Sequence, residues 1–193
     1  MAPWRSLGLV VADRRVPLFG TGVEIDESAD PGLRRLVVSG IDAAITAIDG
    51  VPVEVRGPSP PTFAVHELGA THVDHVVIAT DSVARTCGAV ADITGAPLKR
   101  VREAGDVRQG FHRVGGAGAL VVEVVERTGL PEGSTTLWGF VLVVDDLHAT
   151  CARLGPLLVS APRDAVQAGR RIATFTAAAG LGVPVALMSP DHR

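Results

Sequence analysis

Histidine and glutamate side chains set in apolar runs are the groups of this chain best suited to acid–base chemistry. His75 and Glu123 both stand within β-branched apolar segments. A histidine and a carboxylate that meet in a partly buried site can act as a general acid/base pair or bind a substrate by hydrogen bonds. Two more histidines, His72 and His112, are candidates to join them. Whether these side chains can meet in one site depends on the strands and helices that carry them.

Other familiar catalytic motifs are absent from the sequence. The glycine-rich stretch at residues 115–118 lacks the lysine of a phosphate-binding loop and the following helix of a dinucleotide site. The chain has no Gly-x-Ser-x-Gly elbow. The two cysteines, Cys87 and Cys151, are too few for a disulfide framework, and both fall within predicted helices on the apolar face. We expect both to be small buried residues.

Composition indicates a globular protein with a substantial core. The chain has 193 residues, 47% of them hydrophobic and 20% charged, and a formal net charge of -3. This length fits one large domain or two small ones. The slightly acidic balance and scattered arginines argue against a nucleic-acid partner. No secretory signal and no apolar stretch of membrane-spanning length is visible, so we expect no membrane partner and a cytoplasmic location.

A repeated unit in the second half of the chain positions the candidate residues. Segments 74–87 and 138–151 align without a gap and place the only two cysteines of the chain at equivalent positions. The later segments 122–125 and 185–188 align with nearly the same spacing. One unit of about sixty residues therefore occurs twice, which is a signal of repeated architecture.

Each unit has the pattern of a βαβββ module. An apolar β-branched run predicts the first strand, and a Ser or Asp cap followed by apolar residues at helical spacing predicts a helix. A glycine and then a proline follow each helix, as is common at helix exits. Strands are predicted at 72–80, 99–103, 107–114 and 119–126 in the first unit, and at 137–144, 158–166, 170–177 and 183–188 in the second.

The first 67 residues carry no chemistry motif and are predicted to be β-rich. Asp49-Gly50 is a strong signal for a two-residue hairpin turn, and the proline-rich residues 58–61 predict a linker or boundary. We expect this segment to extend or cover the following domain or to help build a homodimer; a small separate domain is the alternative. Short strands are predicted at 7–11, 22–26, 35–39, 44–48 and 51–56.

The order of these motifs resembles the glyoxalase / bleomycin-resistance / dioxygenase superfamily, also called the vicinal oxygen chelate (VOC) superfamily. The opening run Val73–Ala79, the second opening Phe140–Leu147 and the two closing strands carry the resemblance, which covers about two thirds of the chain. It implies an α+β fold in which two tandem βαβββ modules, at residues 72–126 and 136–190 of a domain spanning 70–190, form an open cupped β-barrel. The N-terminal β-rich segment, residues 1–67, would be an extension of that domain.

The resemblance also implies a divalent metal held by the first and fourth strands of each module. His75 and Glu123 match the two ligand positions of the first module, whereas Gly139 and Ala186 stand where the second module usually has a histidine and a glutamate. Neither of these two residues has a side chain that can bind a metal, so the site is predicted to be degenerate. The small residues also open volume for a larger ligand.

The remaining site assignments concern residues expected in or near the cup that the resemblance implies. Glu123 is the predicted catalytic residue, and His112 and Trp138 are predicted to contact substrate; His112 is also a candidate third metal ligand. Trp138 could instead be an ordinary core or interface aromatic. His72 is disfavoured as a ligand, because it lies three positions from His75 on the same strand and therefore points to the opposite face.

Three functions remain open from the sequence. The first is a small-molecule binding protein that uses the cup without a metal. The second is an enzyme, an isomerase, lyase or dioxygenase, that uses His75 and Glu123 with or without a divalent metal. The third is a structural or partner-binding role. The fold by itself does not choose among them.

Overall fold

The computed structural model describes residues 1–27, 30–39, 45–57, 62–114 and 120–191, which form mostly strands. No helix within these residues is long and apolar enough to span a membrane. The elements in chain order are α1 (Ala2–Ser6), β1 (Arg15–Leu18), β2 (Thr21–Glu24), β3 (Leu36–Ser39), β4 (Ala47–Ile48), β5 (Val51–Arg56), β6 (Ala70–Thr80), α2 (Val83–Thr94), β7 (Leu98–Ala104), β8 (Val107–Val114), β9 (Leu120–Glu126), β10 (Thr135–Val144), α3 (Leu147–Leu154), β11 (Arg163–Asp164), β12 (Arg171–Thr174) and β13 (Val185–Met188).

The chain divides into two compact units, each built around one of the predicted modules. The first-module unit comprises Leu33–Pro60 and His75–Gly139. The second-module unit comprises Met1–Gly32, Pro61–Asp74 and Phe140–Arg193. The N-terminal segment is thus shared between the two units, whereas the sequence predicted one boundary near residue 67, and that domain division stays a prediction. The proline-rich residues 58–61, predicted to be a linker, lie outside the described residues.

The first module has the predicted βαβββ order. β6 pairs in parallel with β9, and β9, β8 and β7 continue as antiparallel neighbours. Helix α2 begins after Ser82, whose side chain accepts a hydrogen bond from the backbone N–H of Arg85 at 3.3 Å. It ends at Gly95, which has the left-handed conformation (φ 68°) that glycine adopts without strain. Both predicted helix ends are therefore confirmed.

Helix α2 packs on one face of this sheet and builds the core there. Gly110 of β8 allows the close approach, because a Cβ atom at this position would collide with the sulfur of Cys87. The predicted apolar face of α2 is buried as expected. The core of this unit consists of Leu36, Ile48, Val51, Val53, Ile78, Val83, Cys87, Val90, Val122, Val124 and Leu137.

The second module repeats the strand–helix–strands order with shorter strands. β10 pairs in parallel with β13, and β13, β12 and β11 continue as antiparallel neighbours. The predicted strand at residues 158–166 is wrong for most of its length: it is reduced to β11 and an isolated bridge between Val159 and Phe175. Pro162 explains this outcome, since proline lacks the N–H that a ladder needs. The predicted strand at 170–177 also ends early, and Ala177–Ala179 form a 3-10 turn.

The strand registers confirm the repeat residue by residue. In the first module Val77 of β6 pairs with Glu123 of β9. In the second module Val141 of β10 pairs with Ala186 of β13. The sequence alignment makes these two pairs equivalent, so Ala186 does occupy the position that Glu123 has in the first module. The α+β class and the two tandem βαβββ modules are therefore established.

The N-terminal segment contributes strands to both units. In the first-module unit β5 pairs in parallel with β3 and antiparallel with β4, and its residues Val51 and Val53 enter the core beside α2. In the second-module unit β1 and β2 form a hairpin. The strand predicted at residues 7–11 is wrong: α1 precedes these residues, which lie outside any strand, with Leu7, Leu9 and Val11 buried and Val10 41% exposed. Buried and more exposed residues alternate at these positions, as they would in a strand, although no strand of the described residues pairs with them.

The Asp49-Gly50 hairpin turn carries a polar contact to α2. Both carboxylate oxygens of Asp49 accept hydrogen bonds from Nε of Arg85, at 3.0 and 3.2 Å. The hydroxyls of Thr86 and Thr135 donate to the same carboxylate. Burial by itself would raise the pKa of Asp49, but these hydrogen bonds and the Arg85 charge outweigh it, so the pKa lies below its ordinary value.

An Asp49→Ala variant is expected to be less stable by about 1–3 kcal/mol at pH 7, because the partners of a charged hydrogen-bonded group would be left unpaired. A lowered carboxyl pKa stabilises the fold above the unfolded-state pKa of about 4, and this contribution disappears as the pH falls through the folded-state pKa. Urea unfolding at pH 7, 5 and 3 should therefore show a gap between wild type and variant that narrows at the acid end; the part that persists comes from the left-handed backbone of residue 49 (φ 46°), which strains alanine at every pH. An Asp92→Ala variant, altered at an exposed position of α2, is the control. A gap of constant size would contradict this role of Asp49.

Candidate functional site

His75 and Glu123 meet on the face of the first-module sheet that points away from α2. The parallel register pairs His75 with Val121 and Val77 with Glu123, so both polar side chains share one face. Nε2 of His75 lies 3.1 Å from Oε2 of Glu123, and the two side chains are only 14% and 11% exposed. The structure thus brings together the two residues that the sequence singled out, each held by a strand with buried neighbours.

Gln109 of β8 completes the surroundings of Glu123 and was missed by the sequence reasoning. Its side-chain amide nitrogen donates a hydrogen bond to Oε1 of Glu123. Its amide oxygen in turn accepts a hydrogen bond from Arg102 of β7 at 3.0 Å. Phe111 pairs directly with Glu123, and Gln109 lies two residues along the same strand face. The cross-strand register was the missing signal, because side chains on diagonal positions are within reach of each other.

This arrangement fixes a buried carboxylate while leaving it able to bind a ligand. His75 and Gln109 each approach a different oxygen of Glu123. A carboxylate has about four acceptor positions on its two oxygens, so two such contacts set its orientation without exhausting its capacity. Glu123 can therefore accept a proton or a hydrogen bond from a molecule placed on this face.

His112 belongs to the other side of the sheet. It is one residue from Phe111 on β8, so it shares the face of Gly110, which packs against α2. The His112 side chain is 1% exposed, and its Nδ1 is 2.9 Å from the carbonyl oxygen of Ala96. The prediction that His112 contacts substrate or metal is thus corrected, because strand alternation turns it away from Glu123. His112 has no part in the proposed site.

Trp138 lies on the first-module unit at the edge of a shallow cavity. Its side chain is 42% exposed, and the guanidinium carbon of Arg127 is 4.9 Å from its ring centroid, a cation–π distance. The cavity has a volume of about 380 Å³. Val125 in its lining follows Glu123 by two residues on the same face of β9. The lining residues are Asp106, Val107, Val125, Glu126, Arg127, Thr128 and Trp138.

Known structures with a similar fold decide the architecture. The crystal structure of methylmalonyl-CoA epimerase from Mycobacterium tuberculosis matches with a TM-score of 0.52 and 21% identity, over 64% of this chain and 90% of that one. A variant of the Streptomyces coelicolor methylmalonyl-CoA epimerase, solved in complex with 2-nitronate-propionyl-CoA, matches with a TM-score of 0.51 and 20% identity, over 62% and 97%. These matches show that the chain has a fold like that of methylmalonyl-CoA epimerase, in agreement with the fold that the resemblance to the VOC superfamily implies.

The remaining comparisons do not assign the chain to a family. The structure of a hypothetical protein from Bacillus halodurans also matches this fold, with a TM-score of 0.51 and 13% identity over 63% of this chain and 95% of that one. The chain matches no protein-family model and no curated protein sequence. At these identities the likeness establishes the fold and leaves the chemistry to the residues of the site.

The residues present do not fit the divalent metal that VOC proteins commonly hold. Glu123 is already engaged by His75 and by the amide nitrogen of Gln109, and the amide oxygen of Gln109 faces Arg102, a cation. Among the described residues, no group of three or more His, Cys, Asp or Glu side chains could hold a metal ion. A tightly bound divalent ion generally needs three or four such donors.

The equivalent face of the second module is mostly apolar around Ala186, and Thr174 of β12 is a polar residue on it. Ala186 and Met188 of β13 pack there with Val141 of β10 and Ile172 of β12. Ile172 pairs with Met188, and Gln109 of the first module pairs with Val125. Because Met188 and Val125 occupy equivalent positions of the repeat, Ile172 is the counterpart of Gln109. The two modules therefore differ at these positions, since Ala186 and Ile172 of the second stand where the first has Glu123 and Gln109.

His72 and the two cysteines play no part in this polar cluster. Nδ1 of His72 is 2.9 Å from the hydroxyl of Thr71, and burial lowers the pKa of His72. Cys87 and Cys151 are free and buried, as predicted. Burial raises the pKa of Cys87 to about 11 and also raises that of Cys151, so neither is an activated thiolate.

Proposed function

We propose that this protein is a glyoxalase-like VOC protein that binds a small organic molecule on the polar face of its first module. The observation that carries the proposal is the buried carboxylate of Glu123, held between His75 and Gln109. A buried charge is costly to maintain, so a carboxylate fixed by two polar partners on a face beside a cavity is typical of a functional site. Ligand contact by Trp138 at that cavity is part of the proposal.

Known structures with this fold support a small-molecule ligand of this kind. Methylmalonyl-CoA epimerase has been solved in complex with methylmalonyl-CoA and ammonium. We infer that the present chain likewise takes an organic molecule of moderate size, with a polar group directed to Glu123 and an apolar part toward Val125 and Trp138.

The intrinsic fluorescence of Trp138 gives a direct test. The chain has two tryptophans and no tyrosine. Trp4 is buried and stacks on Phe140 with ring centroids 6.2 Å apart, so a Trp4→Phe variant keeps an aromatic ring there and leaves Trp138 as the sole tryptophan. A screen of small organic acids, ketones and aromatics should yield molecules that change this signal saturably. Saturable binders that leave the Trp138 signal unchanged would count against this face.

We further propose that the site works without a tightly held metal. Protein purified without chelator is expected to contain well below one equivalent of any divalent metal per chain, because His75 and Glu123 supply too few free donors. Elemental analysis by inductively coupled plasma mass spectrometry measures this. One equivalent of a divalent ion, lost together with ligand binding on treatment with a chelator, would show that the two residues are metal ligands after all.

The alternative is a VOC-type enzyme, an isomerase, lyase or dioxygenase, and one feature favours it. Glu123 is placed to accept a proton from a bound molecule, while His75 and Gln109 hold the carboxylate in position. In this alternative Glu123 is the general base. A bound molecule that exchanges a C–H proton with deuterated solvent, in wild-type protein but not after Glu123→Gln, would establish the enzyme over the binding protein.

A homodimer, which the sequence predicts as one role of the N-terminal segment, is a further part of this proposal. Sedimentation equilibrium of the full chain measures the mass in solution directly. A mass of one chain, 20.0 kDa by composition, would exclude the homodimer, and twice that mass would establish it.

A further inference from the structure

Three arginines share the sheet face that carries Glu123. In β7, Arg100 pairs with Phe111 and Arg102 pairs with Gln109, so both side chains are on the face of Gln109 and Phe111. Arg113 lies two residues beyond Phe111 on the same face of β8 and pairs with Val121. The alternation of strand side chains therefore collects these arginines on one side of the first module.

Two of these arginines are held by neutral partners. The guanidinium carbon of Arg100 is 5.1 Å from the ring centroid of Phe111, which fixes it over the aromatic face. Arg102 uses one nitrogen to hydrogen-bond the amide oxygen of Gln109 at 3.0 Å. Since a guanidinium group has five N–H donors, most of the donors of Arg102 remain for another partner.

Within the described part of the chain, the three arginines outnumber Glu123, the carboxylate that shares their face. There, no carboxylate lies within salt-bridge distance of Arg100, Arg102 or Arg113. By contrast, Arg108 of the same hairpin pairs with Glu103 at 3.0 Å on the other face. Like charges on neighbouring positions of a sheet repel each other, so three arginines together in a chain of net charge -3 indicate an external anion.

We propose that the ligand of this site is an organic anion, whose carboxylate or phosphate group is bound by Arg100 and Arg102 while its neutral part reaches Glu123. This rests on the proposed function and adds the class of ligand. Arginine suits the role, because its planar donors match the two oxygens of a carboxylate or phosphate. Gln109 separates the positive end of the site from Glu123, so one molecule with an anionic end and a hydrogen-donating or acidic C–H end satisfies both.

Titration with two simple anions tests the inference and separates the sources of negative charge. Succinate is the carboxylate probe, glycerol 3-phosphate is the phosphate probe, and glycerol is the neutral control. Binding is followed in low salt by NMR, through the arginine Nε–H signals of the full-length protein. We expect at least one anion to bind saturably and glycerol not to bind, with affinity that falls as salt is added. Arg100→Gln and Arg102→Gln should each weaken binding by roughly fivefold or more, allowing for partial exposure.

The matched control is Arg108→Gln, which removes one arginine from the same hairpin on the opposite face. It should leave anion affinity unchanged. Failure of both anions to bind, or equal weakening by Arg108→Gln and Arg100→Gln, would overturn the inference. A neutral molecule whose binding is lost in Glu123→Gln but unchanged in Arg100→Gln and Arg102→Gln would overturn it as well, while leaving the proposed function in place. Circular dichroism of each variant confirms that the comparison is made on folded protein.

Discussion

A Glu123→Gln variant is expected to keep its fold and to lose roughly tenfold to a hundredfold in ligand affinity. Glutamine has nearly the same shape as glutamate, so the strand and its neighbours need not move. It lacks the negative charge, however, and hydrogen bonds to a charged group contribute about 1.5–3 kcal/mol, which corresponds to this loss of affinity. If the protein is an enzyme, proton transfer by Glu123 disappears completely, because an amide cannot act as a general base.

Glu103 provides a control for this experiment. It lies on β7, on the opposite face of the same sheet, and its carboxylate accepts a hydrogen bond from Nε of Arg108 at 3.0 Å. Glu103→Gln should therefore leave ligand affinity unchanged. Isothermal titration with a molecule found by the fluorescence screen measures both variants. Equal affinity of wild type and Glu123→Gln would mean that Glu123 does not contact the ligand.

A Gly110→Ala substitution is expected to destabilise the first module by about 1–3 kcal/mol. An added Cβ atom would meet the sulfur of Cys87 and, at 3.3 Å, the Cδ1 atom of Leu98. Overpacking of a close contact between a helix and a sheet costs this amount, because α2 or the sulfur must shift. Removing the sulfur should relieve the collision, so the double variant Gly110→Ala, Cys87→Ala is expected to recover part of the stability lost in the single variant.

Gly88 offers the opposite result as a control. It is an exposed glycine within α2, and a Cβ atom added there would meet nothing within 4 Å. Gly88→Ala should therefore stabilise the protein by up to about 1 kcal/mol, through the higher helix propensity of alanine. Thermal and urea unfolding of the four proteins measures these effects. A Gly110→Ala variant as stable as wild type would contradict the close packing of α2 on β8.

The sequence predicted the architecture well wherever a local pattern was repeated. The strands β5 and β8 have the predicted bounds, and the alignment of the two units agrees with the registers of Val77 with Glu123 and of Val141 with Ala186. Repetition helps because two copies must satisfy the same packing constraints. Local pattern misled where burial occurred without a ladder, as at residues 7–11, and where Pro162 interrupts an apolar run.

The candidate site was predictable only in part. His75 and Glu123 stood out because polar groups are unusual in buried strands. Gln109 and Arg102 did not, since their importance comes from cross-strand register, which the sequence does not reveal directly. The error about His112 has the same origin, since only the register shows that Gln109, rather than His112, shares the face of Glu123.

Chemical-shift mapping with the strongest ligand from the fluorescence screen locates the face on which the ligand binds. We expect the largest changes at the side-chain amide of Gln109, the imidazole of His75 and the indole of Trp138, all on the first module. Changes centred instead on the apolar second-module residues Ile172 and Met188, with those three signals unmoved, would contradict this expectation.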